Sequence, residues 1–89
     1  MSVWNAEVRV LLKPSVNDPQ GLSIRGALHS LGFTDVEDVR AGKLIQLRLT
    51  AGSRTEAEDA VQRMCAQLLA NPVIETADFT LDEAPARVP

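Results

Sequence analysis

Cys65 and His29 are the only cysteine and the only histidine among 89 residues. A thiolate metal site needs two soft ligands close together, and a lone cysteine can form no intramolecular disulfide. Cys65 stands on an apolar helical stripe and is expected in the core. No Ser-His-Asp or Cys-His pairing can be built around His29 from sequence spacing, so a solvated or interface histidine is expected rather than a general base. Asp18-Pro19-Gln20-Gly21 has the form of a helix start that could cradle an anion. Asp18 would itself occupy the free amides and repel a phosphate, which makes the motif a structural cap. Arg40 and Lys43 flank an expected turn at Ala41-Gly42-Lys43, where they could hold an anion or a partner's carboxylate, although two exposed cations are ordinarily just solvated. The residues themselves therefore offer no catalytic constellation and no metal site.

These residues must be positioned by a small set of elements. From Trp4 to Lys13, Trp4, Ala6, Val8, Val10 and Leu12 alternate with mostly polar residues, the pattern of a half-buried strand. Pro14 ends it. Asp18 and Pro19 then open a helix on which Ile24, Ala27, Leu28 and Leu31 recur at helical spacing, giving a face to pack on a sheet. Gly32 and Phe33 form a left-handed stop with its closing hydrophobe. Val36 to Thr50 reads as a hairpin closing at Ala41-Gly42-Lys43. Ser53 and Glu56 have capping-box spacing, and Ala57, Ala60, Val61, Met64, Cys65 and Leu68 form the apolar stripe of a second helix. Asn71-Pro72 stops it, and Val73 to Leu81 is the last strand. Residues 1–81 form one domain, and 82–89, with two prolines and no periodicity, are expected to be a disordered tail.

Strand, helix, hairpin, helix, strand predicts an α+β, ferredoxin-like β-α-β-β-α-β fold, with two helices on one face of a four-stranded antiparallel sheet. The open face would carry Leu11, Leu44 and Ile74 among Glu7, Arg9, Arg48 and Asp78, which suggests association into a dimer. A chain of this size buries only roughly 60–68% of its unfolded surface, so a partner would help. The formal net charge of −3 and an aromatic content of 3% without tyrosine argue against nucleic acid, which needs cationic surface and stacking rings, and against an anionic membrane. No signal-peptide pattern opens the chain and no run approaches a membrane span, so a cytoplasmic location is expected.

Asp18-Pro19-Gln20-Gly21, Ala27-Leu28 with Leu31-Gly32-Phe33, Val39-Arg40-Ala41-Gly42-Lys43, and Cys65 through Glu75 follow one another in an order and spacing that resemble the PurS subunits of phosphoribosylformylglycinamidine synthase, over residues 3 to about 81. Asn17 and Ala77 depart from the aliphatic and aromatic residues common at those places in the family. The resemblance implies a non-catalytic subunit of a ligase of purine biosynthesis. A glutaminase subunit releases ammonia, and a synthetase subunit uses ATP and Mg to turn formylglycinamide ribonucleotide into its amidine. The small subunit, with no cofactor of its own, is implied to join the two and assist ammonia transfer as a homodimer or a dimer of dimers. Asp18, Gln20, Gly21, Arg40, Gly42, Lys43 and Asn71 are the residues expected to set shape or make contacts. The rival reading is a small-molecule-sensing regulatory domain with a ligand near Gly21 or Gly42; a stand-alone enzyme is weaker still.

Overall fold

The computed structural model describes residues 1–84 and holds three strands, β1 (Ser2–Leu12), β2 (Gly42–Ala51) and β3 (Glu75–Glu83), with helices α1 (Pro19–Ser30) and α2 (Arg54–Met64). A π-helical segment, Cys65–Leu69, continues α2. The sheet is antiparallel in the order β2-β1-β3. β1 lies in the middle and pairs along its length with both neighbours, from Ser2↔Ala51 to Leu11↔Gly42 on one side and from Trp4↔Glu83 to Leu12↔Glu75 on the other. Its alternation is the one expected, and Trp4, Ala6, Val8 and Val10 are all buried. They meet Ala57 and Val61 of α2 and Leu81 of β3, with Ile45, Leu47, Leu49 and Phe79 half-buried around them.

The expected hairpin is absent. Residues 36–41 form no strand, and the chain enters β2 at Gly42 without turning back. The fourth strand of the ferredoxin-like reading is thus missing, and α1 does not cover the sheet. It packs instead on residues 36–40: the His29 imidazole N–H donates to Val36 O at 2.7 Å, and Gly21 lies so close to Val39 O that a Cβ there would collide with it. The stripe of Ile24, Ala27 and Leu31 is exposed, Leu31 to 74%. The Cα radius of gyration is 17.0 Å, against about 12 Å for a close-packed chain of this length.

Local signals fare better than the hairpin. Ser53 Oγ accepts from Glu56 N, as the capping-box spacing predicts, while the Glu56 carboxylate reaches one residue further back and accepts from Gly52 N instead of Ser53 N. Gly32, at φ 102°, ends α1, with Phe33 N donating back to Leu28 O and Gly32 N to His29 O. The stripe on α2 is corrected at its end. Val61, Cys65 and Leu69 turn inward at a four-residue period, while Leu68 is 83% exposed. A period of four outruns the 3.6 of an α-helix, and the wider turn that Ala70 N closes on Cys65 O takes up the difference.

β3 is shifted relative to expectation. It starts at Glu75, leaving Val73 and Ile74 in the preceding turn, and runs to Glu83, after which Ala84 is buried and bonded to Val3 O. The domain therefore continues at least three residues past Leu81. The remainder of the expected tail, 85–89, lies outside the described residues. The open sheet face carries exposed Leu11 and Leu44, as anticipated, among Asn5, Glu7, Arg9, Gln46, Arg48, Asp78, Thr80 and Asp82, whereas Ile74 lies outside the strand. Arg9 pairs there with Asp78 at 2.8 Å.

The core is aliphatic and thin, so single truncations are felt. Val61→Ala, which empties a fully buried site, is expected to destabilise the protein by about 2 kcal/mol in urea unfolding. Leu68→Ala is expected to change stability little, and equal effects would disprove the inward and outward placement of these two residues.

Candidate functional site

The residues singled out in the sequence gather at two places. The first is the junction where β1 ends, α1 begins and β2 starts. Asp18 caps α1 by accepting from Gly21 N at 3.0 Å with one carboxylate oxygen. The other oxygen accepts from Ala41 N at 2.9 Å, reaching 23 residues along the chain. Asp18 is the one buried charged residue among those described. The Ala41 and Gly21 amides hold its carboxyl below the usual range, with the Arg40 charge adding to them and desolvation opposing.

Arg40 faces the same junction from the other side. Its guanidinium donates to Lys13 O at 2.7 Å, Leu12 O at 3.1 Å and Val16 O at 3.4 Å, satisfying carbonyls that β1 leaves behind when it stops. All three bonds come from Nη2, so this arm of the guanidinium is committed to backbone. Gly42 begins β2 beneath Val10 O and Leu11, where a Cβ would collide. Its backbone is not left-handed, so close approach, not turn geometry, demands glycine there. Gly21 is needed for the same reason, beside Val39. Gln20 is exposed.

The second place is the turn before β3. Asn71 Oδ1 accepts from Val73 N, and Asn71 O accepts from Ile74 N and Glu75 N. Glu75 returns a contact by accepting from Asn71 N at 2.7 Å, and its other oxygen lies 4.0 Å from Lys43 Nζ on β2. Lys43 and Asn71, far apart in sequence, thus meet through Glu75. Sequence reasoning missed Glu75, although its carboxylate on the presumed inner face of a strand was the available signal: a half-buried acid needs partners.

His29, bonded to a backbone carbonyl, is not presented as a general base. Burial pushes the Cys65 thiol up, which suits a packing residue rather than a nucleophile. Among the described residues no group of three His, Cys, Asp or Glu side chains could hold a metal ion, and no helix is long and apolar enough to cross a membrane. What the arrangement can do is hold shape: it fixes the path of residues 13–18 against 36–41 and leaves apolar surface uncovered on either side of α2.

Comparison with known proteins gives this shape a context. The family model described as PurS, phosphoribosylformylglycinamidine (FGAM) synthase, matches residues 5–83. The phosphoribosylformylglycinamidine synthase subunit PurS of Bacillus subtilis is 40% identical over 85 residues, 96% of this chain and 100% of the relative. Thermus thermophilus PurS superposes with a TM-score of 0.84 at 39% identity, covering 93% of this chain and 99% of that one. A chain in the structure of PurLQS from Thermotoga maritima does so with a TM-score of 0.80 at 30% identity, covering 94% and 100%.

The Asp18 junction yields a pH signature. Because the native pKa lies below the ordinary value of 3.8, ionised Asp18 stabilises the fold above that value and the contribution is lost as pH falls through the native pKa. Helicity followed by circular dichroism from pH 6 to 2 is expected to fall more steeply below pH 4 in the wild type than in Asp18→Asn, which starts less stable at pH 6. Parallel profiles would show that the carboxylate does not hold the junction.

Proposed function

Because this chain belongs to the PurS family, and is thereby a non-catalytic subunit of the ligase phosphoribosylformylglycinamidine synthase in purine biosynthesis, we propose that it acts as a paired scaffold joining the glutaminase and synthetase subunits and assisting ammonia transfer between them. The observation that carries the joining role is the likeness to a chain of the PurLQS structure. ATP and Mg belong, in this reading, to the synthetase, and the chain works in the cytoplasm without a cofactor.

The chemistry explains why such a subunit is useful. Ammonia is mostly protonated in neutral water and the ammonium ion is no nucleophile. Two sites held in fixed relation, with water kept out between them, deliver the free base to the activated amide. A scaffold meets that need by shape alone. Asp18, Gly21, Arg40, Gly42, Lys43 and Asn71 are its shape-setting residues, and exposed Gln20 is placed to make a contact.

Pairing is supported by two faces of the same chain that cannot meet within one copy. One is the exposed stripe of Ile24, Ala27 and Leu31 on α1. The other is a groove of about 590 Å³ along β2 and α2, lined by Val3, Arg48, Leu49, Thr50, Ala60 and Met64. α1 of a second copy laid in that groove would cover Leu49, with the half-buried Leu47 and Ile45 next along the same face of β2. Residues 36–41, which form no strand in one copy, would then lie beside the free edge of β2 as the fourth strand. Exchange of this kind turns an open hinge into a closed two-fold dimer.

Amidine formation by purified glutaminase and synthetase, with and without this chain, tests the role. Glutamine-driven activity is expected to need the chain while ammonia-driven activity largely does not; indifference of both rates would overturn the reading. Leu31→Asp is expected to leave the protomer folded, since Leu31 is exposed in it, yet shift sedimentation from dimer to monomer. A dimer that survives this change is not held by α1.

A further inference from the structure

Helix α2 has a second uncovered flank, opposite the groove just described. There the π-helical segment Cys65–Leu69 and the turn after it stand away from β3, leaving a groove of about 490 Å³. Phe79 and Ala77 of β3 line one side, and Cys65, Ala66, Ala70 and Pro72 line the other. β3 pairs only with β1, and its odd-numbered residues turn their backbone groups to the other side; Glu75 N is taken there by Asn71 O and Leu81 O by the Arg54 guanidinium at 2.8 Å, which leaves the edge open at Ala77 and Phe79. Neither proline nor lysine occurs in it, although these are the usual means by which a protein blocks an unpaired edge. Backbone groups that seek partners thus run alongside an apolar slot.

The charge on β3 restricts what can pair there. The strand carries Glu75, Asp78, Asp82 and Glu83 and no cation of its own, the one cation at its outer edge being Arg54, bonded to Leu81 O. Lys43 and Arg9 approach Glu75 and Asp78 from within the chain, which leaves Asp82 and Glu83 at the far end. A second β3 laid antiparallel would bring two such acidic strands together along one seam, which like-charge repulsion disfavours. A strand with cationic side chains would be drawn in and oriented.

We propose that the β3 edge and the groove beneath it take up an extended segment of a partner subunit in which aliphatic residues alternate with lysine or arginine. Side chains of an added strand point alternately to the two sheet faces. The aliphatic ones enter the slot over Ala77 and Phe79, and the basic ones face Asp82 on the open side. Backbone pairing supplies affinity and the slot supplies selectivity. This rests on the joining role above, for which it names a contact surface on the side of the sheet away from the pairing groove.

Hydrogen exchange on the assembled complex tests it. The β3 amides between Thr76 and Leu81 that exchange readily in the chain alone are expected to slow on the order of tenfold or more when the glutaminase or the synthetase is added. Adding each subunit singly identifies which one supplies the segment. Ala66→Trp, which fills the slot from an exposed position, and Asp82→Lys are each expected to weaken assembly on the order of tenfold, with circular dichroism and self-association unchanged. Full glutamine-driven activity in a complex whose β3 amides exchange at free rates, or normal assembly by both variants, would overturn the inference and leave the joining role standing. Protection already present in the chain alone would assign the edge to a second copy and overturn it as well. Failure of the chain to bind either subunit would overturn both.

Discussion

The fold depends on one junction, where the Asp18 carboxylate accepts from Ala41 N and the Arg40 guanidinium donates to the carbonyls of Leu12, Lys13 and Val16. Charge-assisted bonds of this kind are about twice as strong as neutral ones. They tie residues 40 and 41 to the point where β1 stops. The segment before them therefore runs out along α1 rather than back along β2. A hairpin at Ala41-Gly42-Lys43 would have to give up those bonds, and Gly42, pressed beneath Val10 O, is already committed to pairing with Leu11.

From that single commitment follow the features that distinguish the protomer from a self-contained ferredoxin-like unit. The sheet has three strands instead of four, and one helix covers it instead of two. α1 keeps company with residues 36–40, so its aliphatic stripe faces outward. The radius of gyration exceeds that of a close-packed chain of equal length. Such a protomer is short of buried area for its size, and the surfaces it leaves open lie on both flanks of α2. An unfinished core is a poor independent fold and a good component of an assembly.

The side chains with chemical potential are consumed in making that shape. His29 holds a backbone carbonyl, Asp18 caps a helix and clasps a distant amide, Arg40 closes a strand end, and Cys65 fills the core side of the π-helical turn. Membership in a family of ligase subunits and this structural use of His29, Asp18, Arg40 and Cys65 point the same way: the chain is a subunit of the ligase and not its catalytic one.

What is local in the fold was legible from residue order alone. The alternation of Trp4, Ala6, Val8 and Val10 fixed the buried face of β1; Asp18-Pro19 and Ser53 with Glu56 fixed the starts of the helices; Gly32 fixed the end of α1. Each rests on bonds or side-chain directions within a few residues. The ordered motifs also carried the family resemblance, and with it the function. Tertiary structure alone decided where α1 goes, because a glycine between two extended runs reads equally as a turn or as a close approach, and the deciding bonds join Asp18 to Ala41 and Arg40 to Leu12 across more than twenty residues. It likewise turned Leu68 outward, since a π-helical turn is set by the need to keep Val61, Cys65 and Leu69 on the sheet and leaves no periodic signal of its own. Periodicity records which side chains prefer burial, whereas the choice of surface that buries them is made by contacts distant in sequence or supplied by another chain.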